Sequence, residues 1–352
     1  MKKLFKTFAY LLFIAPVICG CSFFGKAEED TYKVKLDLSS VVLEPGQTQK
    51  LWLIDAQGSV EWRSSNENVV IYETGTTIKA VNEGRATITV KDLTNNTEAS
   101  CNVNVRYPSI EPTDPLNIAT IAHKGYHQEA IENTKEAFFE AGRRNFYGIE
   151  TDIHRTKDGK WICNHDNRVK GMSKDIADST FDEIMAVNLS DDPTNIVNVC
   201  TFTEYVDVCS LYNKHPVIEF KNSYNSEIVQ EILEILKTKE VLNEVIFISK
   251  QSAVLGTLYN LREQNGYTFD LQMLTEGNGW SYVTNILNVS SQYEAITADM
   301  VQSCNSYGQY VAAWTVNDRN DALNLINLGV KYITTDIFEC ASQFVDSTLF
   351  DK

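Results

Sequence analysis

Eight short apolar runs, rich in β-branched and aromatic residues, recur between residues 117 and 352, and segments with helical periodicity separate them. Strands that alternate with helices usually pair in parallel, and eight such units within the ~250 residues typical of the fold predict a closed barrel. We therefore predict an α/β fold, a (β/α)8 TIM barrel, for residues 117–352. A doubly wound open sheet is the alternative. The runs lie at 118–122, 147–153, 216–220, 245–249, 269–274, 293–297, 310–315 and 331–335.

Two helices of this barrel have recognisable ends in the sequence. Asn133 is followed three residues later by Glu136, a spacing that resembles a capping box and predicts a helix over 134–144. Apolar residues at helical spacing between Ala322 and Leu328 predict a second helix that ends before Gly329.

Residues 34–106 show short strands separated by turn sequences such as Glu44-Pro45-Gly46. Apolar and polar residues alternate over 86–90 and 101–105, which is typical of a half-buried antiparallel sheet. The stretches LEPGQTQKL, VEWRSSNENVV and IKAVNEGRATITV resemble the bacterial Ig-like group 2 module. This resemblance implies a small all-β sandwich that acts as a spacer or makes surface contacts. Three prolines within 107–116 predict an extended linker between this domain and the barrel.

The N-terminus has the layout of a secretory signal, with Lys2, Lys3 and Lys6 before an apolar run over 8–18. This run is shorter than the ~20 residues that a membrane-spanning helix needs. It leads into Ile18-Cys19-Gly20-Cys21, which resembles the lipobox of bacterial lipoproteins. We expect residues 1–20 to be a lipoprotein signal peptide, Cys21 to carry the lipid anchor and 21–33 to form a tether. The protein would then be a membrane-anchored lipoprotein of the cell envelope, periplasmic or surface-exposed; a plain secreted protein is the alternative.

The chain is acidic, with 47 acidic and 31 basic residues and a formal net charge of −16. Removal of the signal peptide with its three lysines would take this charge to −19. Such a protein repels a polyphosphate surface, so nucleic acid is excluded as a partner. Six of the eight cysteines lie beyond Cys21 without metal-type CxxC spacing. We interpret most of them as small buried hydrophobic residues, and a disulfide remains an open alternative.

Charged side chains collect where the predicted barrel strands end, the face at which barrel enzymes place their sites. Glu150 and Asp152 are two residues apart on the second run and therefore face the same side, as do Glu219 and Lys221 at the end of the third. Three converging carboxylates repel one another unless a cation neutralises them, and oxygen ligands suit Ca²⁺ or Mg²⁺. The sequence thus predicts one divalent cation bound by Glu150, Asp152 and Glu219, with separate surface salt bridges as the alternative.

Two histidines border these carboxylates, His123 after the first run and His165 in a predicted hairpin over 159–166. Imidazole, with an unperturbed pKa of ~6.5, can both give and take protons, so the pair could supply an acid and a base for hydrolysis. A metal ion, lysines and two histidines together favour an anionic substrate such as a phosphodiester.

The stretches AHKG, IENTKEAFFEAG, GIETDIHRTKDGKWICNHD, VIEFK and AAWTVND resemble the glycerophosphodiester phosphodiesterase family over residues 118–337. The resemblance implies that His123 and His165 are catalytic and that Glu150, Asp152 and Glu219 hold the metal. It also implies that Lys221 contacts the phosphate and that Trp314 lies near a small-molecule glycerophosphodiester. The family reaction yields glycerol phosphate and an alcohol such as choline or ethanolamine.

One residue departs from the family pattern, because Lys124 stands where an arginine usually follows the first histidine. We expect Lys124 to bind phosphate as a point charge, without the bidentate geometry of a guanidinium. A simple salt bridge at the barrel mouth is the alternative role for this residue. Two alternatives to the leading function remain. One is a related phosphodiesterase that acts on phospholipid or a teichoic-acid-type polymer, and the other is a barrel that binds a phosphate ligand without catalysis.

Overall fold

A computed structural model of the protein describes residues 32–111, 116–277 and 286–338. The predicted signal peptide, Cys21 and most of the predicted tether lie outside the described residues. Within the described ranges, no helix is both long enough and apolar enough to cross a membrane.

The N-terminal region folds into sheets that share one apolar core. The largest sheet has the strand order β2-β9-β8-β5 and faces a sheet of order β3-β7-β6, while β1 pairs with β4. Ile88 and Val103 of the first sheet and Ile78 of the second are fully buried in this core. The predicted alternation is confirmed, because Ala86 and Val90 also point inward. The strands are β1 (Lys35–Leu36), β2 (Ser40–Leu43), β3 (Thr48–Lys50), β4 (Leu53–Ile54), β5 (Val60–Ser64), β6 (Val70–Thr74), β7 (Thr77–Ala80), β8 (Gly84–Asp92) and β9 (Thr97–Val105).

Eight parallel strands close into the predicted barrel, because β10 pairs with both β11 and β18. A closed sheet excludes the doubly wound alternative. The short strand β12 (Trp161–Cys163) pairs antiparallel with β11 and forms the predicted hairpin. The barrel strands are β10 (Ala119–Ala122), β11 (Gly148–Arg155), β13 (His215–Phe220), β14 (Ile246–Ser249), β15 (Asp270–Thr275), β16 (Asn288–Gln292), β17 (Val311–Trp314) and β18 (Tyr332–Thr335).

Helices surround the barrel, and apolar side chains fill both the barrel interior and the layer between strands and helices. Phe138 of α1 packs against Tyr205 of α3 in the outer layer, and Ile121, Val217 and Ile248 point into the barrel. The cysteines of the described residues are buried and free. The helices are α1 (Lys135–Gly142), α2 (Phe181–Met185), α3 (Phe202–Tyr212), α4 (Ser226–Thr238), α5 (Ser252–Asn265), α6 (Ala298–Ser306) and α7 (Arg319–Leu328).

The sixth strand was predicted in the wrong place. The strand is Asn288–Gln292, whereas the predicted run at 293–297 begins with a turn of 3-10 helix at Tyr293–Ala295. The true strand carries Asn288 and Ser290, which look like surface residues in the sequence but are buried. Asn288 donates a hydrogen bond to Asp270 on the neighbouring strand, so its polarity is satisfied internally.

The predicted boundaries of α1 were also wrong. Thr134, not Asn133, caps the helix, and its hydroxyl accepts a hydrogen bond from the backbone N–H of Ala137. Asn133 lies outside the helix with a φ of 57°, a left-handed conformation that asparagine tolerates better than most residues. The predicted end of α7 is confirmed, because Gly329 terminates that helix in a left-handed conformation.

The N-terminal sheets contact the barrel at the C-terminal ends of α1 and α3. Arg85 donates to the backbone carbonyl of Ser210 at 2.7 Å, and Arg106 donates to that of Leu211 at 3.2 Å. Glu83 accepts hydrogen bonds from both Arg143 and Tyr212. Helices α1 and α3 each lead into a barrel strand, so this contact lies at the N-terminal end of the strands.

Candidate active site

Three carboxylates from two adjacent strands meet at the C-terminal end of the barrel. Asp152 of β11 is the direct cross-strand partner of Glu219 of β13, and Glu150 lies two residues earlier on β11. One carboxylate oxygen from each residue lies within 4.8 Å of the others. Glu150 and Asp152 are only 3% and 1% exposed. The structure therefore brings together the three residues that the sequence predicts as metal ligands.

Burial and mutual repulsion change the pKa values of the carboxyl groups in this acidic cluster. Burial, followed by repulsion from Asp152 and Glu219, raises the pKa of Glu150 well above its usual value. Burial and the charge of Asp152 raise the pKa of Glu219 to about 7. For Asp152, burial acts in the same direction, but Lys221 and other favourable contacts outweigh it, so the pKa of Asp152 is lowered.

A single lysine offsets part of this negative charge. The Nζ of Lys221 lies 3.2 Å from Asp152 Oδ1 and 3.1 Å from Glu219 Oε1. One ammonium cannot balance three carboxylates, and their all-oxygen donor set matches the preference of a hard divalent cation. The residues present therefore fit Ca²⁺ or Mg²⁺.

Asn133 orders the acidic cluster, and sequence reasoning assigned it only to a helix cap. Its Nδ2 donates to Asp152 Oδ2 at 3.0 Å, and its Oδ1 accepts from the Thr151 hydroxyl at 2.7 Å. The left-handed backbone at Asn133 turns its side chain toward β11, away from α1. An asparagine just before a threonine N-cap was the available signal for this conformation.

Both predicted histidines line the same cavity, and each is oriented by a carboxylate. His123 Nδ1 lies 2.8 Å from Asp336 Oδ1, and His165 Nδ1 lies 2.8 Å from Asp166 Oδ1. Asp336 also accepts a hydrogen bond from Asn317 at 2.7 Å. Although burial opposes ionisation, these bonds lower the pKa of Asp336, so it is a carboxylate at neutral pH.

Asp336 was missed in the sequence, although it directly follows the last barrel strand. The strand-end argument that identified His123 and Lys221 would have found it. Lys250 was missed for the same reason, since it directly follows β14. Lys250 lines the cavity, whereas Asp336 contacts the site through His123.

The ammonium of Lys124, which was expected to contact the phosphate, forms a salt bridge instead. Its ammonium pairs with Glu132 at 3.2 Å, and it is not among the described residues that line the cavity. Its backbone N–H donates to Glu150 Oε2 at 2.7 Å, so the residue contacts the acidic cluster through its main chain. Lys124 has a φ of 56°, which the following Gly125, also at positive φ, continues as a tight turn.

The cavity at this face has a volume of about 90 Å³ and two chemically different sides. One side holds the carboxylates, the histidines and Lys221. The other side carries the apolar lining residues, Ile248, Leu274 and the predicted Trp314, among an equal number of polar ones. The indole N–H of Trp314 donates to the carbonyl of Ser290 at 3.1 Å. The lining residues are His123, Glu150, His165, Glu219, Lys221, Ile248, Lys250, Leu274, Ser290, Trp314 and Thr334.

The fold and the site define a barrel whose strand ends bring together two histidines and three carboxylates that could hold a metal ion. A model of the glycerophosphoryl diester phosphodiesterase family matches residues 123–339, and the chain belongs to this family. It is a glycerophosphodiester phosphodiesterase by enzyme class, as the resemblance in its sequence implied.

Named relatives agree with this assignment. Glycerophosphodiester phosphodiesterase 1 of Bos taurus is 26% identical over 276 residues, which cover 67% of this chain and 82% of that protein. A glycerophosphodiester phosphodiesterase of Bacillus altitudinis is 26% identical over 227 residues, which cover 61% of this chain and 93% of that protein.

Solved structures share the fold. A glycerophosphodiester phosphodiesterase from Parabacteroides distasonis superposes with a TM-score of 0.56 at 24% identity, over 64% of this chain and 95% of that one. An Oleispira antarctica phosphodiesterase in complex with the product sn-glycerol-3-phosphate has a TM-score of 0.56 at 21% identity, over 62% and 92% of the two chains.

Proposed function

We propose that the protein hydrolyses glycerophosphodiesters to glycerol 3-phosphate and an alcohol, with one divalent cation and two histidines as acid and base. A single observation carries the proposal: two of three mutually close carboxylates line the same cavity as two carboxylate-oriented histidines. Family membership supports hydrolysis of this class of substrate, and the geometry supports the finer mechanism.

Glu150, Asp152 and Glu219 would hold the cation, which is Ca²⁺ or Mg²⁺. When bound, such an ion supplies Lewis-acid polarisation of a phosphoryl oxygen and offsets the charge of the anionic substrate. Lys221, already held between Asp152 and Glu219, places a second positive charge beside the phosphate. Local positive charge is needed here because the overall field of an acidic protein repels an anionic substrate.

The histidines would move the protons of the reaction. In each ring Nδ1 is bonded to a carboxylate, so Nε2 is the nitrogen that exchanges a proton with the substrate. One histidine accepts the proton of the attacking oxygen as the new P–O bond forms. The other donates a proton to the oxygen of the departing alcohol as the old P–O bond breaks. The carboxylates Asp336 and Asp166 hold both rings in place for these transfers.

Release of glycerol 3-phosphate from glycerophosphocholine, measured with Ca²⁺ or Mg²⁺ and after chelation, tests this proposal. We expect chelation to abolish turnover and His123→Ala and His165→Ala each to reduce kcat about 10²–10⁴-fold. Lys174→Met serves as a control, because Lys174 forms an exposed ion pair with Glu183 away from the cavity lining. Full activity after chelation would refute the metal mechanism. Ligand binding without turnover of any glycerophosphodiester would favour a barrel that binds phosphate ligands without catalysis. Turnover confined to phospholipid or to a teichoic-acid-type polymer would favour a related phosphodiesterase with that substrate.

We also propose that the chain is a membrane-anchored lipoprotein of the cell envelope, attached through Cys21, and that an Ig-like N-terminal domain is its spacer. The start of the described chain supports this arrangement. The carbonyl of Tyr32 accepts a bond from Asn95, and Val34 donates to Thr97, both at the turn between β8 and β9. Glu83 and Arg85, which contact the barrel, lie at the opposite end of β8. Nine extended residues span roughly 25–30 Å, so Tyr32, where the described chain begins, lies far from the contact with the barrel.

Metabolic labelling with palmitate tests the anchor. We expect label on the wild-type protein and on a Cys19→Ala variant, because only the cysteine after the cleavage site is acylated. Cys21→Ala should carry no label and should leave the membrane fraction. Label retained on Cys21→Ala would contradict the assignment.

A further inference from the structure

An ion pair lies at the mouth of the cavity, where two neighbouring barrel strands end. Lys250 directly follows β14, and Glu276 directly follows β15, the neighbouring strand. Their Nζ and Oε1 atoms are 2.5 Å apart, and the side chains are 49% and 66% exposed. The same ammonium lies 5.6 Å from the ring centroid of Trp314, the aromatic residue of the apolar side.

Without Lys250, this arrangement would suit a cationic alcohol. A quaternary ammonium such as that of choline binds to the face of an aromatic ring, and a nearby carboxylate strengthens the attraction. Trp314 and Glu276 are a ring and a carboxylate placed at the same rim. Lys250 engages both of them, so a second cation would meet an ammonium instead of an open ring and a free carboxylate.

Lys250 also differs from the other lysines of the active-site face. Lys221 is held by Asp152 and Glu219, and the Lys124 ammonium is held by Glu132. The side chain of Lys250 is 49% exposed, against 18% for Lys221 and 12% for Lys124, so solvent screens its pair with Glu276. A substitution at Lys250 can therefore change the charge at the cavity mouth and leave the acidic cluster intact.

We propose that Lys250 is a specificity-determining residue that directs the enzyme toward glycerophosphodiesters whose alcohol is uncharged or anionic, and away from those whose alcohol is choline. The inference rests on the proposed function and narrows its substrate class. A hydroxyl-rich alcohol such as glycerol can accept hydrogen bonds from the ammonium, and an anionic alcohol gains from its charge. Trp314 then packs against the carbon skeleton of the substrate, and Glu276 keeps the lysine extended across the rim.

The test compares kcat/KM for glycerophosphocholine with kcat/KM for glycerophosphoglycerol, because both release glycerol 3-phosphate and one assay measures both. We expect Lys250→Met to raise the choline-to-glycerol ratio about tenfold, mainly through KM, since the ring and the carboxylate become available to a cation. Glu276→Gln should lower the ratio severalfold, because it removes the carboxylate and leaves the lysine unpaired. Lys250→Arg should keep the wild-type preference.

Lys174→Met is the matched control, since it also removes an exposed lysine from an ion pair, at 2.7 Å from Glu183. It should leave the ratio unchanged, and circular dichroism should show that all variants are folded. A ratio that stays within twofold of wild type in Lys250→Met, while the wild-type enzyme turns over both substrates, overturns the inference alone. Failure of the wild-type enzyme to hydrolyse either substrate overturns the proposed function and the inference with it.

Discussion

At the C-terminal end of the barrel strands, three carboxylates lie close together, and the ammonium of Lys221 pairs with two of them. At the N-terminal end, by contrast, the described arginines that join the sheets to the barrel have oxygen partners nearby. Arg85 and Arg106 donate to carbonyl groups at the end of α3, and Arg143 pairs with Glu83. Carbonyl groups at a helix C-terminus carry partial negative charge, which suits a guanidinium. The carboxylates at the C-terminal end therefore need a bound cation to balance their charge. The arginines at the N-terminal end instead join the N-terminal sheets to the barrel.

This difference predicts that charged residues at the two ends of the barrel have opposite effects on stability. A buried charge without a balancing partner costs free energy of folding, and strained groups of this kind cluster at functional sites. A buried charge with good partners is costly only when one partner is removed. Substitutions at the C-terminal end should therefore lower activity without lowering stability, and substitutions at the N-terminal end should lower stability without lowering activity.

The largest expected effect is at the acidic cluster. Glu150→Gln removes one ligand oxygen and one buried charge but keeps the size of the side chain. We expect turnover to fall by about 10³-fold or more, because metal-assisted charge stabilisation is lost. The metal-free variant should melt a few degrees above the metal-free wild type. Differential scanning calorimetry with and without Ca²⁺ provides the measurement, and equal metal-induced shifts in both proteins would contradict the ligand assignment.

Asp336→Asn should have the next largest effect. The substitution keeps the shape of the side chain but removes the carboxylate that orients His123. We expect kcat for glycerophosphodiester hydrolysis to fall about 10²-fold with little change in KM, because the substrate contacts remain while the imidazole loses its orientation. Steady-state kinetics at pH 7 checks this. A change confined to KM would assign Asp336 to substrate binding instead.

The sequence predicted the active-site end of the barrel well, because strand periodicity fixes both the fold and the direction of side chains near strand ends. Two-residue spacing places Glu150 with Asp152, and the predicted parallel barrel brings Glu219 beside them at the end of the next strand. Asp336 could have been found by the same argument. The predicted role of Lys124 followed only from its position after His123, and the left-handed turn that aims its ammonium at Glu132 has no clear sequence signal.

The sixth strand shows a different limit. Asn288 and Ser290 are polar residues that the barrel buries, and the side chain of Asn288 finds its partners at Asp270 and Tyr310, about 20 residues away on either side. Local hydrophobic periodicity contains no information about such partners, so the pattern favoured the more apolar run at 293–297. The docking of Arg85 on α3 was equally inaccessible, because it depends on how two separately predicted regions meet.

A smaller effect, on stability alone, is expected at the N-terminal end. Arg143→Met leaves Glu83 partly buried without its guanidinium partner. We expect the free energy of unfolding to fall by about 2–3 kcal/mol, with kcat/KM unchanged. Arg63→Met is the matched control, because Arg63 forms an exposed pair with Glu98 at 3.0 Å and its loss should cost at most about 1 kcal/mol. Urea denaturation measures the free energy of unfolding of both variants. An equal decrease in the two would mean that the docking contact stabilises the protein no more than a surface ion pair does.

Lys214, at the N-terminal end of the barrel strands, gives the smallest expected effect, a change in stability with pH. Its Nζ donates to the carbonyls of Arg144 and Phe146 at 2.8 and 2.7 Å, yet burial lowers its pKa to about 8, against 10.5 in the unfolded chain. Between these two values the unfolded chain binds more protons than the native protein, so stability contributed by this group increases as pH rises.

Urea denaturation of wild type and Lys214→Met at pH 7 and pH 9 isolates this contribution, because other titrating groups are common to both proteins. The free energy of unfolding of the wild type relative to the variant should increase by roughly 1 kcal/mol over this interval. A difference that does not change with pH would mean that the two carbonyl bonds compensate fully for burial of the ammonium. The positive charge of Lys214 would then be compensated by its oxygen partners as fully as the charges of the nearby arginines. Uncompensated charge would in that case be confined, among these residues, to the carboxylates at the C-terminal end of the strands.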